Sequence, residues 1–155
     1  MKKVIIASLF AMVAFVFTGC RDCNCQPSEP CQFHQKTIEL EVSQAKWEFD
    51  NGANMFYCHF DVPEITNNVF LYGTKCIYRE YNYGKPNVYD VALPETTYLV
   101  EDVDDGQGGT TPYYYQQHID YAIGVGKVEI FCIYSDFIYD GFTPDAMHFI
   151  LQLTY

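Results

Sequence analysis

Gly124-Val125-Gly126-Lys127-Val128-Glu129-Ile130-Phe131-Cys132-Ile133-Tyr134 is the stretch that decides how the chain folds. Val128, Ile130 and Cys132 share one phase of a two-residue period and Lys127 and Glu129 the other. Successive strand side chains point to opposite faces, so this is a strand with one buried face. Phe131 and Ile133 make its later part apolar on both faces, as in a sheet interior. Gly124 and Gly126 accept the backbone angles of a tight turn, and Tyr113–Ile123 before them is a second β-rich run. A hairpin of Tyr113–Ile123 against Lys127–Tyr134 follows.

The same pattern extends outward in both directions. Downstream, Ser135–Pro144 reads as a loop and Met147–Thr154 as a last strand, with Phe149, Leu151 and Leu153 on its core face. No tail follows, so the C-terminus is expected to tuck into a sheet. Upstream, Thr96–Val103 is a strand joined to the hairpin by an acidic, glycine-rich loop, Asp104–Pro112. A short strand at Val88–Leu93 ends at Pro94 and is preceded by a turn, Tyr81–Pro86. Thr74–Tyr81 is β-rich, but neither Lys75, Ile77 and Arg79 nor Thr74, Cys76 and Tyr78 is decisively the buried face.

Further back, Ile38, Leu40 and Val42 alternate with Glu39 and Glu41, and Trp47 and Phe49 continue the alternation. Asp50-Asn51-Gly52 then turns the chain into Met55–Val62. Phe56, Cys58 and Phe60 share one face of that strand and Tyr57, His59 and Asp61 the other. The adjacent Cys58 and His59 therefore diverge and make a poor nucleophile–base couple. Pro63–Asn68 breaks the run, with room for one helical turn capped by Thr66 or Asn67. Seven to nine short strands with no long helix define an all-β chain, an antiparallel β-sandwich with a β-barrel as the alternative. Fourteen tyrosines and twelve phenylalanines suit half-buried pleated surfaces.

The N-terminus is of another kind. Lys2 and Lys3, an apolar run Val4–Phe17 and small residues before Cys20 make a signal segment, too short for a comfortable membrane span. Phe17-Thr18-Gly19-Cys20 resembles a bacterial lipobox, with Phe17 where leucine is usual. The resemblance implies cleavage before Cys20 and attachment of acyl chains such as palmitate to that cysteine. The chain then divides into a signal peptide (1–19), a Cys/Pro-containing tether (20–36) and a sandwich domain (37–155). Without residues 1–19, seven basic side chains face twenty acidic ones, a formal charge of −13. Such a surface repels nucleic acid and anionic headgroups, so membrane attachment falls to the acyl chains, at about 0.8 kcal/mol per buried methylene.

Cys23, Cys25, Cys31, Cys58, Cys76 and Cys132 remain, and sequence cannot choose among their pairings. Cys20-x2-Cys23-x-Cys25-x5-Cys31 has the crowding of a zinc site, but lipidation removes one ligand and His34 is isolated. Disulfides or free thiols in a tether are expected instead, with no metal and no cofactor. Asp102-x-Asp104-Asp105-Gly106 suggests calcium, yet Gln107 and Tyr113 occupy positions where an EF-hand loop needs glycine and glutamate.

His34, His59, His118 and His148 lie in separate segments, and the chain has no nucleophile elbow, zinc-protease motif or phosphate loop. No catalytic residue is assigned; a small envelope enzyme whose site no motif reveals is the alternative function. Tyr113, Tyr114 and Tyr115, with Tyr81 and Tyr83, form the candidate binding surface, suited to a protein partner or the apolar faces of sugars. The competing account is that these rings cover the sandwich and pair with strand neighbours.

Asp61-Val62-Pro63-Glu64-Ile65-Thr66, Val69, Gly73, Tyr78, Ala92-Leu93-Pro94, Gly126-Lys127-Val128-Glu129-Ile130 and Ser135-Asp136 together resemble small uncharacterised Bacteroidota-type lipoproteins. The resemblance implies a single sandwich-like domain on a lipid anchor; the expected function is that of a non-catalytic binding or structural module at the outer membrane. It carries over no activity, and the cysteine-rich tether departs from the leaner pattern of many members. Arg21-Asp22 is not an acidic surface-export run, so periplasmic and cell-surface placement both stay open.

Overall fold

The computed structural model describes residues 33–136 and 142–155; the signal segment, Cys20 and the cysteines up to Cys31 lie outside the described residues. Among the described residues nine strands form two antiparallel sheets. The strands are β1 (Gln35–Val42), β2 (Glu48–Asp50), β3 (Met55–Asp61), β4 (Thr74–Tyr81) and β5 (Tyr89–Ala92), then β6 (Glu95–Asp104), β7 (Thr110–Gly124), β8 (Lys127–Tyr134) and β9 (Met147–Thr154). One sheet has the order β1-β9-β4-β5 and the other β2-β3-β8-β7-β6. The sheets do not close into a barrel, so the sandwich form of the expectation holds.

Period-two patterning explains the packing. Phe149, Leu151 and Leu153 of β9 meet Val128, Ile130 and Cys132 of β8, all at most 1% exposed, in one core. Each of these strands is central in its sheet, which is why their inner faces are the most apolar in the chain. The C-terminal strand is held between β1 and β4. β4, ambiguous in sequence, turns Ile77, Arg79 and Tyr81 inward, because Ile77 and Arg79 lie opposite the core residues Leu151 and Phe149.

Two local expectations are corrected. The alternation does not run unbroken from Val42 to Phe49: a 3-10 turn at Gln44–Lys46 carries the chain from one sheet to the other. Trp47 is buried at this crossing and its indole N–H donates to the Asp145 carbonyl at 3.1 Å. The predicted Asp104–Pro112 loop shrinks to a tip, because Thr110, Thr111 and Pro112 pair with β6. Pro112 fits there since β8 pairs with β7 only from Gln117 onward, leaving no second neighbour to need its missing N–H. The later part of β6, from Tyr98, and the first half of β7 thus project beyond β8 as a two-stranded ribbon.

Strand directions give the sandwich two ends. At the proximal pole the chain enters at Phe33, and His34 and Tyr155 exchange backbone hydrogen bonds of 2.7 and 2.9 Å. Here a helix, α1 (Asn67–Tyr72), is capped by Thr66, whose hydroxyl accepts from the Val69 N–H at 3.3 Å. The β3–α1 connection is bound to the β7–β8 turn through Val62 N–H to Gly126 O and Gly126 N–H to Ile65 O, both 2.8 Å. The ribbon marks the distal pole.

Candidate functional site

Two cavities open at the distal pole, and they divide the candidate tyrosines. The first, of about 410 Å³, is lined by Tyr81, Tyr83, Glu80, Arg79, Glu41 and His148 among others. His148 lies on the outward phase of β9, opposite Glu41 on β1 and Glu80 on β4. The Tyr83 ring covers it, with centroids 3.8 Å apart and planes 12° from parallel, so this outward histidine is only 6% exposed. Glu80 Oε2 is 2.9 Å from Nδ1 and Glu39 Oε2 is 3.8 Å from Nε2. Despite the 2.9 Å approach, both ring nitrogens and that oxygen are buried without a hydrogen bond among the described residues. The two nitrogens face different carboxylates, and among the described residues no three potential ligands converge on a metal position.

Beneath this cavity a polar chain joins the sheets. Arg79 Nη1 donates to Glu95 Oε1 at 2.8 Å, to the Tyr81 hydroxyl at 2.9 Å and to Gln117 Oε1 at 3.2 Å. Tyr81 donates to the same Glu95 oxygen at 2.9 Å, and Gln117 Nε2 donates to the Tyr134 hydroxyl at 2.6 Å. The guanidinium also sits 4.3 Å from the Tyr81 ring centroid. Tyr81 is thus occupied in the interior, where burial raises its phenol above the ordinary range.

The second cavity, about 310 Å³, lies under the ribbon between Tyr113, Tyr115, Tyr134, Phe142, Glu101 and Asp136. Tyr113 and Tyr115 share a face with centroids 6.0 Å apart, Tyr115 lies 6.0 Å from Tyr134, and Phe142 meets Tyr134 edge-on at 4.9 Å. Burial, then the charges of Glu101, Asp136 and Asp145, push the Tyr115 phenol up. An aromatic wall beside carboxylates can stack on an apolar ligand face and accept hydrogen bonds from its hydroxyls or ammonium groups. Tyr114 points the other way, 70% exposed beside Val100.

The five tyrosines therefore do not form one surface: Tyr81 and Tyr83 border the first cavity, Tyr113 and Tyr115 the second, and Tyr114 the ribbon's back. His148 and the Arg79–Glu95–Gln117 chain were not singled out from sequence. The one available signal was phase, since Gln117 shares the inward phase of Ile119.

Cys58 and Cys132 are buried free thiols, pushed up to about 12 and about 11 by desolvation, so neither is a nucleophile near neutral pH. His59 is exposed on the opposite face of β3 from Cys58. At the ribbon tip Asp104 Oδ1 accepts from the Gly106 N–H, and Asp105 Oδ1 from Gln107 and Gly109, at 2.8, 2.8 and 3.0 Å. These carboxylates build their own turn. Compared with known proteins, the chain matches no family model, no curated protein and no solved structure.

Proposed function

We propose that this chain is a lipid-anchored cell-envelope protein of the outer membrane, held by acyl chains on Cys20, with a non-catalytic binding module. The ligand end is the distal pole. The observation carrying this is the cleft of Tyr113, Tyr115 and Tyr134 beneath the ribbon, at the end of the sandwich opposite Phe33, where the tether joins. Its aromatic faces with Glu101 at the rim suit a glycan or a protein side chain.

The module is tested on glycan arrays and by pull-down from envelope extracts. Tyr113→Ala, at a 39% exposed residue that leaves the core intact, is expected to weaken binding about tenfold or more. Binding that survives Tyr113→Ala and Tyr115→Ala alike rejects the cleft. Protease shaving of intact cells with mass mapping of the N-terminus tests the anchor and the face of the membrane separately. An unmodified Cys20 or a native chain beginning at Met1 rejects the anchor.

One observation favours a second reading, a small envelope enzyme: His148 and Glu80 hold buried polar atoms without hydrogen bonds on the wall of a 410 Å³ cavity. Turnover of ester, glycoside or peptide probes that disappears in His148→Gln supports it. Turnover unchanged by that substitution, or none at all, removes it.

A further inference from the structure

We infer that the proximal pole rests on the bilayer interface, with Leu71, Tyr72 and Phe33 as the side chains that enter it; this rests on the anchoring of Cys20 proposed above. α1 supplies the first part of the argument. Its Val69 is buried at 3% exposure, while Phe70, Leu71 and Tyr72 that follow are 37%, 65% and 81% exposed. Six residues give this helix no room to hide three large apolar side chains, and its end is fixed. A Cβ on Gly73 would lie 2.7 Å from Val69 O and 3.0 Å from Thr154 O, so the helix terminus is pressed against the end of β9. On the other side of that strand end, Phe33 is 78% exposed and Tyr155 40%. Val125, at the tip of the β7–β8 turn bound to the same loop, is 49% exposed.

Charge is distributed to match. Lys36, Lys75 and Lys127, half of the six basic residues described, stand at or next to the first residue of β1, β4 and β8, all at this pole. From Pro86 to Gly126 the chain has no lysine or arginine, and that interval contains the whole ribbon with Glu101, Asp102, Asp104 and Asp105. Lys36 and Lys127 pair with Glu64 and Glu129 at 2.8 and 3.6 Å, so these charges at the proximal pole offset one another, whereas the ribbon's carboxylates have no basic residue in their interval, and the proximal pole is the end less opposed to a membrane. Lys75 donates to the carbonyls of Val69, Phe70 and Gly73 at 3.1, 2.8 and 2.7 Å and lies 5.6 Å from the Phe70 ring centroid. Exposed aromatic and leucine side chains bordered by lysine form the composition of a polypeptide surface that sits at headgroup level.

Chain connectivity selects the bilayer over other occupants. Phe33 lies thirteen positions after Cys20, a reach of at most about 45 Å at full extension. An acylated Cys20 therefore keeps this pole, the one covalently joined to the tether, at high effective concentration beside the lipid, so contacts too weak to bind a free protein suffice.

The test uses the mature, full-length acylated protein in vesicles of phosphatidylethanolamine and phosphatidylglycerol whose acyl chains are brominated near the headgroup. Tyr72→Trp places a reporter on α1, while Trp47, 7% exposed at the distal crossing, is an internal reference beyond the quencher's reach. The emission added by Tyr72→Trp is expected to fall roughly twofold relative to unbrominated vesicles, as for a ring buried about 5–10 Å into the headgroup boundary. Adding Phe70→Ser and Leu71→Ser, both at solvent-exposed positions, is expected to abolish the quenching while the protein still floats with the vesicles. Undiminished emission from a chain that floats and carries acylated Cys20 overturns the docking and leaves the anchor standing. A native chain with unmodified Cys20 overturns both. A solution dimer that Leu71→Ser converts to monomer assigns the patch to a second copy and overturns the proposal as well.

Discussion

Replacing Arg79 with methionine is expected to destabilise the domain by about 3–5 kcal/mol, the range for breaking one side of a buried ion pair. For a domain of this size that lowers the melting midpoint by roughly 10–20 °C. Arg79 and Glu95 side chains are 15% and 6% exposed, and they meet between the sheets rather than at the surface. Methionine fills much of the arginine stem's volume but leaves the Glu95 carboxylate with only the Tyr81 hydroxyl as partner among the described residues, and leaves Gln117 Oε1 without the guanidinium. The loss is therefore mostly the desolvation of an uncompensated anion, not the intrinsic strength of the pair. The double variant Arg79→Met/Glu95→Leu separates these contributions: removing the stranded charge is expected to recover most of the stability. Lys36→Met, which breaks an exposed pair with Glu64 at 2.8 Å, should leave the midpoint nearly unmoved. Thermal and denaturant unfolding of the variants decide the matter, and an Arg79→Met protein as stable as the parent rejects the argument.

This network also marks the limit of what local sequence reveals. β8 and β9 emerge with the predicted bounds because their apolar residues keep strict phase and both faces of their sheets' centres are specified. β6 and β7 are recognised but too short at the tip, since Thr110, Thr111 and Pro112 resemble a loop until β6 is known to lie opposite. The inward face of β4 is undecided in the sequence, because Arg79 shares its phase with Ile77 and an apolar count favours neither side. The reason is non-local: Glu95 and Gln117 come from the opposite sheet to receive the guanidinium. His148 illustrates the same gap. Its phase on β9 marks it as outward, and only the pairing of β9 with both β1 and β4 reveals Glu41 and Glu80 as its neighbours. Period two predicts which face a side chain takes; it does not predict which strand lies alongside. For the tyrosines, grouped as one surface from the sequence, strand alternation puts Tyr114 on the face opposite Tyr113 and Tyr115, while the distance of Tyr81 and Tyr83 from them is a property of topology.

Stability is expected to fall steeply above pH 8.5, and the buried thiols determine the sign. Cys58 and Cys132 are 2% and 0% exposed, and desolvation first of all raises their folded values to about 12 and about 11. In the unfolded chain a thiol titrates near 8.5. Below that pH both states hold the proton, and the full stability is present. Between about 8.5 and 11 the unfolded chain releases protons that the native state retains, so each thiol removes stability as pH rises, with a slope of at most about 1.4 kcal/mol per pH unit. Two thiols over two units give an upper bound of about 5 kcal/mol, comparable with the whole stability of a small domain. Tyr134, also raised chiefly by burial, reinforces the decline above pH 10, where an unfolded phenol ionises. Denaturant midpoints at pH 8, 9 and 10 are expected to descend in the parent and to flatten in Cys58→Ala/Cys132→Ala, despite that variant's lower starting stability. An unchanged slope in the variant assigns the alkaline loss to repulsion across the acidic surface instead. Alkylation gives an independent reading of the same burial: at pH 8.5 the half-buried Cys76 reacts in the folded protein, whereas Cys58 and Cys132 wait for unfolding, because a thiol with no thiolate and no access offers no nucleophile.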